Sequence, residues 1–106
     1  MPNNLCHREL QRVYRDYNRR WFQNALPDDC DCMFAPTANC LGIVELDNGG
    51  WLLTIDPKYA IEGRTWRMTL LHEQAHLLAA PYTLHGAKFQ MIMQGLAAVG
   101  AFRRLW

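Results

Sequence analysis

The sequence predicts an α+β fold: an N-terminal helix, a three-stranded mainly antiparallel sheet, then two further helices. Three observations predict it. Apolar residues near the N-terminus recur at spacings of three and four. Three short runs rich in β-formers follow, with Asn48-Gly49 between the last two. Beyond them lie two long segments of helical character, separated by Pro81. With 106 residues, half of them apolar, the chain holds one core, and residues 1–106 read as a single domain without repeats or linkers.

The first helix is expected over about 4–25. Leu10, Val13, Tyr14, Tyr17 and Trp21 share its inward face, and Leu26-Pro27-Asp28-Asp29 ends it. Arg8, Arg12, Arg15 and Arg19 form a stripe on another side, either a solvated face or a row that contacts the phosphates of a nucleic acid. The strands fall within 30–57, as "CMFAP", "LGIVEL" and "WLLTID", and Asp47-Asn48-Gly49-Gly50 joins the last two as a hairpin. The third segment, about 65–79, is apolar nearly all round, which marks a buried helix, with Thr65 placed to cap it. The last helix is expected over about 84–103, with Phe89, Ile92, Met93, Leu96 and Val99 or Gly100 inward and a break near Gly95 or Gly100.

Net charge is +1, which singles out no class of partner. No apolar run approaches the roughly 18 residues of a membrane span, and "MPNNLCHREL" is not of signal-peptide type, so a soluble, cytoplasmic protein with no membrane partner is expected. Cys6, Cys30, Cys32 and Cys40 lack the paired spacing of a zinc ribbon and read as free thiols in a reducing compartment.

The chemistry concentrates in "LLHEQAHLLAAPYTLHGAKF". His72-Glu73-Gln74-Ala75-His76 is H-E-x-x-H, which on a helix puts both imidazoles on one face, a turn apart, where they can bind one Zn²⁺. Glu73 lies beside the first of them, the position of a general base. Burying two imidazoles and a carboxylate in so apolar a helix costs several kcal/mol unless a cation compensates them. A catalytic zinc takes a third protein ligand. No Asp or Glu follows Glu73, and Ala79 and Tyr82 exclude the compact H-E-x-x-H-x-x-G-x-x-H pattern. His85 remains, separated from His76 by eight residues that include the chain-reversing Pro81, while His7 reads as a surface residue. Phe89 shares a side with His85 and can anchor the last helix.

These residues resemble the SprT-like zinc metallopeptidases, whose H-E-x-x-H is followed by H-G-x-x-F, as His72–His76 and His85–Phe89 are here. "YNRRWFQNALP", Leu41-Gly42 and "LLTIDP" are similar to the family's first helix and short strands. The resemblance implies a minimal zincin-like fold, one Zn²⁺ on His72, His76 and His85, and Glu73 as base. It also implies a protein or peptide substrate, in some relatives one crosslinked to or bound on DNA.

Peptide hydrolysis would need a further donor for the oxyanion. Tyr82 is the first candidate, with Tyr59, Lys88, Arg64 and Arg67 as rivals. Asp47, Asp56 or a carbonyl could orient a ligand histidine. An extended substrate strand could add to an edge supplied by "LGIVEL" or "WLLTID", although Trp51, Leu52 and Leu53 read first as core. The competing class is a non-catalytic zinc-stabilised module that binds nucleic acid or protein.

Overall fold

A computed structural model describes residues 7–38, 40–47, 49–59, 63–79 and 86–103. The elements run α1 (His7–Trp21), β1 (Asp31–Phe34), β2 (Gly42–Asp47), β3 (Gly50–Ile55), a 3₁₀ turn (Pro57–Tyr59), α2 (Gly63–Ala79) and α3 (Ala87–Ala98). This is the expected α+β class.

The apolar stripe of α1 is inside: Leu10 and Tyr14 are fully buried, with Val13 and Tyr17 beside them. The helix stops at Trp21, short of the expected 25, because a side chain of its own last turn captures the chain that follows. Asn18 donates from Nδ2 to the Leu26 carbonyl oxygen and accepts the Leu26 N–H at Oδ1, both at 3.0 Å. Gln23 and Asn24 take left-handed backbone angles to make that turn, a conformation asparagine tolerates better than most residues. Two more α1 side chains fasten the same connection. Tyr14 Oη donates to the Pro27 oxygen at 2.6 Å, and Gln11 Nε2 donates to the Cys30 oxygen at 2.9 Å while its Oε1 accepts from the Cys32 N–H at 3.0 Å.

The sheet order is β1-β3-β2. β2 and β3 form the expected antiparallel hairpin, with Asp47 opposite Gly50 and Gly49 at φ +82° in the turn. β1 instead pairs parallel to β3, Asp31 opposite Leu52 through Phe34 opposite Ile55, so the three-stranded sheet is mixed. Antiparallel neighbours need only a tight turn, whereas β1 reaches its place across the intervening β2. "WLLTID" is therefore the central strand, and of its residues Leu53 and Ile55 are core.

Register puts Cys32, Leu53 and Val44 in one row, and Phe34, Ile55 and Gly42 in the next, on the face that carries the core and the helices. α2 begins at Gly63, two residues earlier than expected, so Thr65 lies inside its first turn. Trp66, Leu70, Leu71, Ala75, Leu77 and Ala79 are all buried, as a helix apolar all round requires. α3 begins at Ala87, after Gly86, and ends at Ala98, short of the expected 103. Val99, expected inward, caps the helix and is exposed. Gly95 does not break the helix. Gly100 at φ +86° does: its N–H bonds the Ala97 oxygen at 3.2 Å and the Ala101 N–H bonds the Leu96 oxygen at 2.9 Å, the two bonds of a Schellman motif. No helix among the described residues is long and apolar enough to cross a membrane.

Candidate metal and catalytic site

α2 carries polar groups on three sides of an apolar shaft. His72 and His76 lie on one, half-buried, with their Nε2 atoms 3.2 Å apart and ring centroids 4.8 Å apart. The i, i+4 spacing on a helix produces this meeting directly. Phe89 of α3 closes the face. Its buried ring stacks on His76 at 4.2 Å and meets His72 edge-on at 5.0 Å. The first turn of α3 is thus set by contact with both imidazoles.

Glu73 occupies the second side and is buried. Burial pushes its carboxyl up to about 7. Its stem lies over Gly42, the first residue of β2. A methyl group there would stand 3.1 Å from Glu73 Cγ, and 3.0 Å from both the Thr54 oxygen and Thr69 Cγ2. The absent side chain lets the strand approach the helix at the level of the carboxylate.

Gln74, on the third side, is fully buried and donates from Nε2 to the Tyr14 oxygen at 3.0 Å, tying α2 to α1. Its Oε1 has no hydrogen-bond partner among the described residues. Gln11, Asn18, Gln74 and Gly42 went unassigned in the sequence. Asn18 directly follows Tyr17 in the quoted "YN", and Gln74 fills a variable place of the motif, so neither spacing nor composition marked them.

Other predicted site residues divide as follows. His85 and Tyr82 lie outside the described residues, as does Cys6. The side chains of Asp47, Tyr59 and Arg64 are likewise outside them. Arg67 lies over the Trp66 ring at 4.6 Å and 3.7 Å from the Glu9 carboxylate. Lys88 is exposed in the first turn of α3. Asp56 accepts the Thr37 N–H at 3.1 Å and the Lys58 N–H at 2.8 Å, which hold its carboxyl below the usual range and commit it to the chain around β3. His7 is exposed at the start of α1, tilted against Phe34. Cys30 and Cys32 are buried and Cys40 exposed, all as free thiols; the hydrogen bond with Cys30, followed by burial, pushes the Cys32 thiol up. Among the described residues no three His, Cys, Asp or Glu side chains form a metal-binding group.

Arg8, Arg12, Arg15 and Arg19 are all exposed and, with Asp16 and Asp28, line an open groove of about 870 Å³ along α1. Arg19 pairs with Asp16, and Arg12 lies 3.9 Å from Glu9; Arg8 and Arg15 have no ion pair among the described residues.

The α+β fold thus sets a histidine pair and a buried carboxylate on one helix, against a glycine of the neighbouring strand. The model of the SprT-like family matches residues 10–104, and the chain belongs to that family. No curated protein and no solved structure matches it.

Proposed function

We propose that the protein is a zinc-dependent endopeptidase in which His72, His76 and His85 hold one Zn²⁺ and Glu73 is the general base. The observation that carries this reading is the convergence of the two Nε2 atoms at 3.2 Å beside a buried carboxylate. Two nitrogens on a tetrahedral zinc, at the usual bond length, stand about 3.3 Å apart. The His72–His76 pair fits two positions of such an ion, and the raised carboxyl of Glu73 fits a base that works near neutral pH.

When bound, the ion supplies Lewis-acid polarisation of the scissile carbonyl and of the attacking water. The chain's own residues do the rest. Glu73 takes the water's proton on its carboxylate and passes it to the leaving amine. Phe89 holds both imidazoles in their orientation and covers them. Tyr82 donates to the oxyanion. An extended substrate adds to the open edge of β2, the strand that meets Glu73 at Gly42. We place it in a reducing cytoplasmic setting, in which the three free thiols among the described residues would stay reduced.

Substrates bound on DNA are a second element of the proposal. The arginine groove of α1 supports it, since two of its four cations have no ion pair among the described residues. A mobility shift with single-stranded DNA at two salt concentrations tests it: binding that weakens steeply with salt is expected, and salt-insensitive or absent binding removes DNA from the proposal. The competing reading, a zinc-stabilised binding module without catalysis, gives Glu73 no role. Hydrolysis of casein by zinc-loaded protein, lost in Glu73→Gln, separates the two.

A further inference from the structure

Glu73 is buried, yet among the described residues its carboxylate has neither a hydrogen-bond nor an ion-pair partner. A glutamate side chain turns about three bonds, and holding one still costs rotamer entropy. A general base must nevertheless stand within hydrogen-bond reach of the proton it takes. With no polar tether among the described residues, the packing of its stem has to set where the carboxylate points.

Two neighbours meet at that stem. The vacant Cβ position of Gly42 lies 3.1 Å from Glu73 Cγ and 3.0 Å from Thr69 Cγ2. Thr69 stands one turn before Glu73 on the same side of α2, so the backbone of Gly42 seats in the notch between the two side chains. Both neighbours are stiff. Thr69 is buried and β-branched, which restricts where its methyl can point. Gly42 is held from behind by β3: it pairs opposite Ile55, the Thr54 oxygen lies 3.0 Å from the same vacant position, and the Asp56 N–H donates to the Leu41 oxygen at 2.9 Å.

We infer that Thr69 and Gly42 are positioning residues for the base: the Thr69 methyl and the bare Gly42 backbone confine the Glu73 stem to one rotamer and so aim its carboxylate. The inference rests on the reading of Glu73 as the base. The confinement itself does not. A Thr69 that merely fills space would change stability and leave both the rotamer of Glu73 and the rate of turnover as they are.

Two substitutions separate the methyl from the hydroxyl. Thr69→Ser removes Cγ2 and keeps the hydroxyl; Thr69→Val keeps the branch and removes the hydroxyl. Three-bond couplings from the Glu73 backbone nitrogen and carbonyl carbon to Cγ, measured by NMR on labelled protein with and without zinc, read the rotamer without any turnover. One staggered rotamer is expected in wild type and Thr69→Val, and averaged couplings in Thr69→Ser. On casein, zinc-loaded Thr69→Ser should lose about tenfold in kcat with KM and zinc content unchanged, since a misplacement of about 1 Å costs up to roughly a hundredfold. Thr69→Val should restore the rate. Couplings in Thr69→Ser that match wild type overturn the inference, and so does a kcat that matches wild type while the couplings average. A wild type that cleaves, with a Thr69→Ser variant that differs only in melting temperature, removes the positioning role and leaves the peptidase. A wild type that does not cleave removes the base, and the couplings then decide the confinement alone.

Discussion

The side-chain amide of Gln74 donates to the main-chain oxygen of Tyr14 across 3.0 Å, in the interior between α1 and α2. It is a buried polar tie between the helix that carries His72 and His76 and the helix that carries the arginine row. Gln74→Ala removes the bond and leaves a cavity, and should lower stability by about 2–4 kcal/mol. Gln74→Leu fills the volume and also removes the unpartnered Oε1, so it should fall closer to wild type. Urea midpoints of the two variants, compared at equal slope, check the order; a Leu variant as unstable as the Ala variant contradicts it.

Gly42 lets the sheet pass close to Glu73, whose Cγ would lie 3.1 Å from a methyl group there. A methyl group there meets the Thr54 backbone oxygen, which cannot turn away, so Gly42→Ala should cost about 1–3 kcal/mol. Thr69→Ser in the same chain removes the Cγ2 contact at 3.0 Å and should recover part of the loss. Thermal denaturation of the single and double variants measures both effects.

Asp56 gives the protein an acid-sensitive element. The N–H groups of Thr37 and Lys58 hold its carboxyl below the ordinary value of 3.8. A depressed folded-state carboxyl contributes stability that is complete above the unfolded value and is lost as pH falls through the folded one. Asp56→Asn should therefore lower stability at neutral pH and flatten the decline below about 3.8. Denaturant titrations of both proteins between pH 6 and pH 3 (roughly the span over which carboxylates titrate) show whether the two curves converge in acid, as expected.

The residues of local pattern were readable. Spacing along α1 named its buried face, Asp47-Asn48-Gly49-Gly50 named the hairpin, and H-E-x-x-H placed His72, His76 and Glu73 on one helix. Features that depend on distant partners were hidden. β1 pairs parallel to β3 because of where the chain returns, and nothing in "CMFAP" encodes a direction. α1 ends at Trp21 through Asn18 bonding Leu26, eight residues on, which periodicity does not register. Gly95 and Gly100 look alike as helix breakers. Only Gly100 has the positive φ that lets the two closing bonds form. Gln74 stands in a variable motif position, so its bond to Tyr14 left no trace in the spacing.

The most direct measurement is hydrolysis of casein by zinc-loaded wild-type and Glu73→Gln proteins, with zinc content determined on both samples. The expected result is equal zinc in the two and a fall in rate of about a hundredfold or more in the variant, since a positioned base contributes roughly 10²–10⁴. A variant that holds zinc and cleaves at the wild-type rate would contradict the assignment of Glu73 as the base.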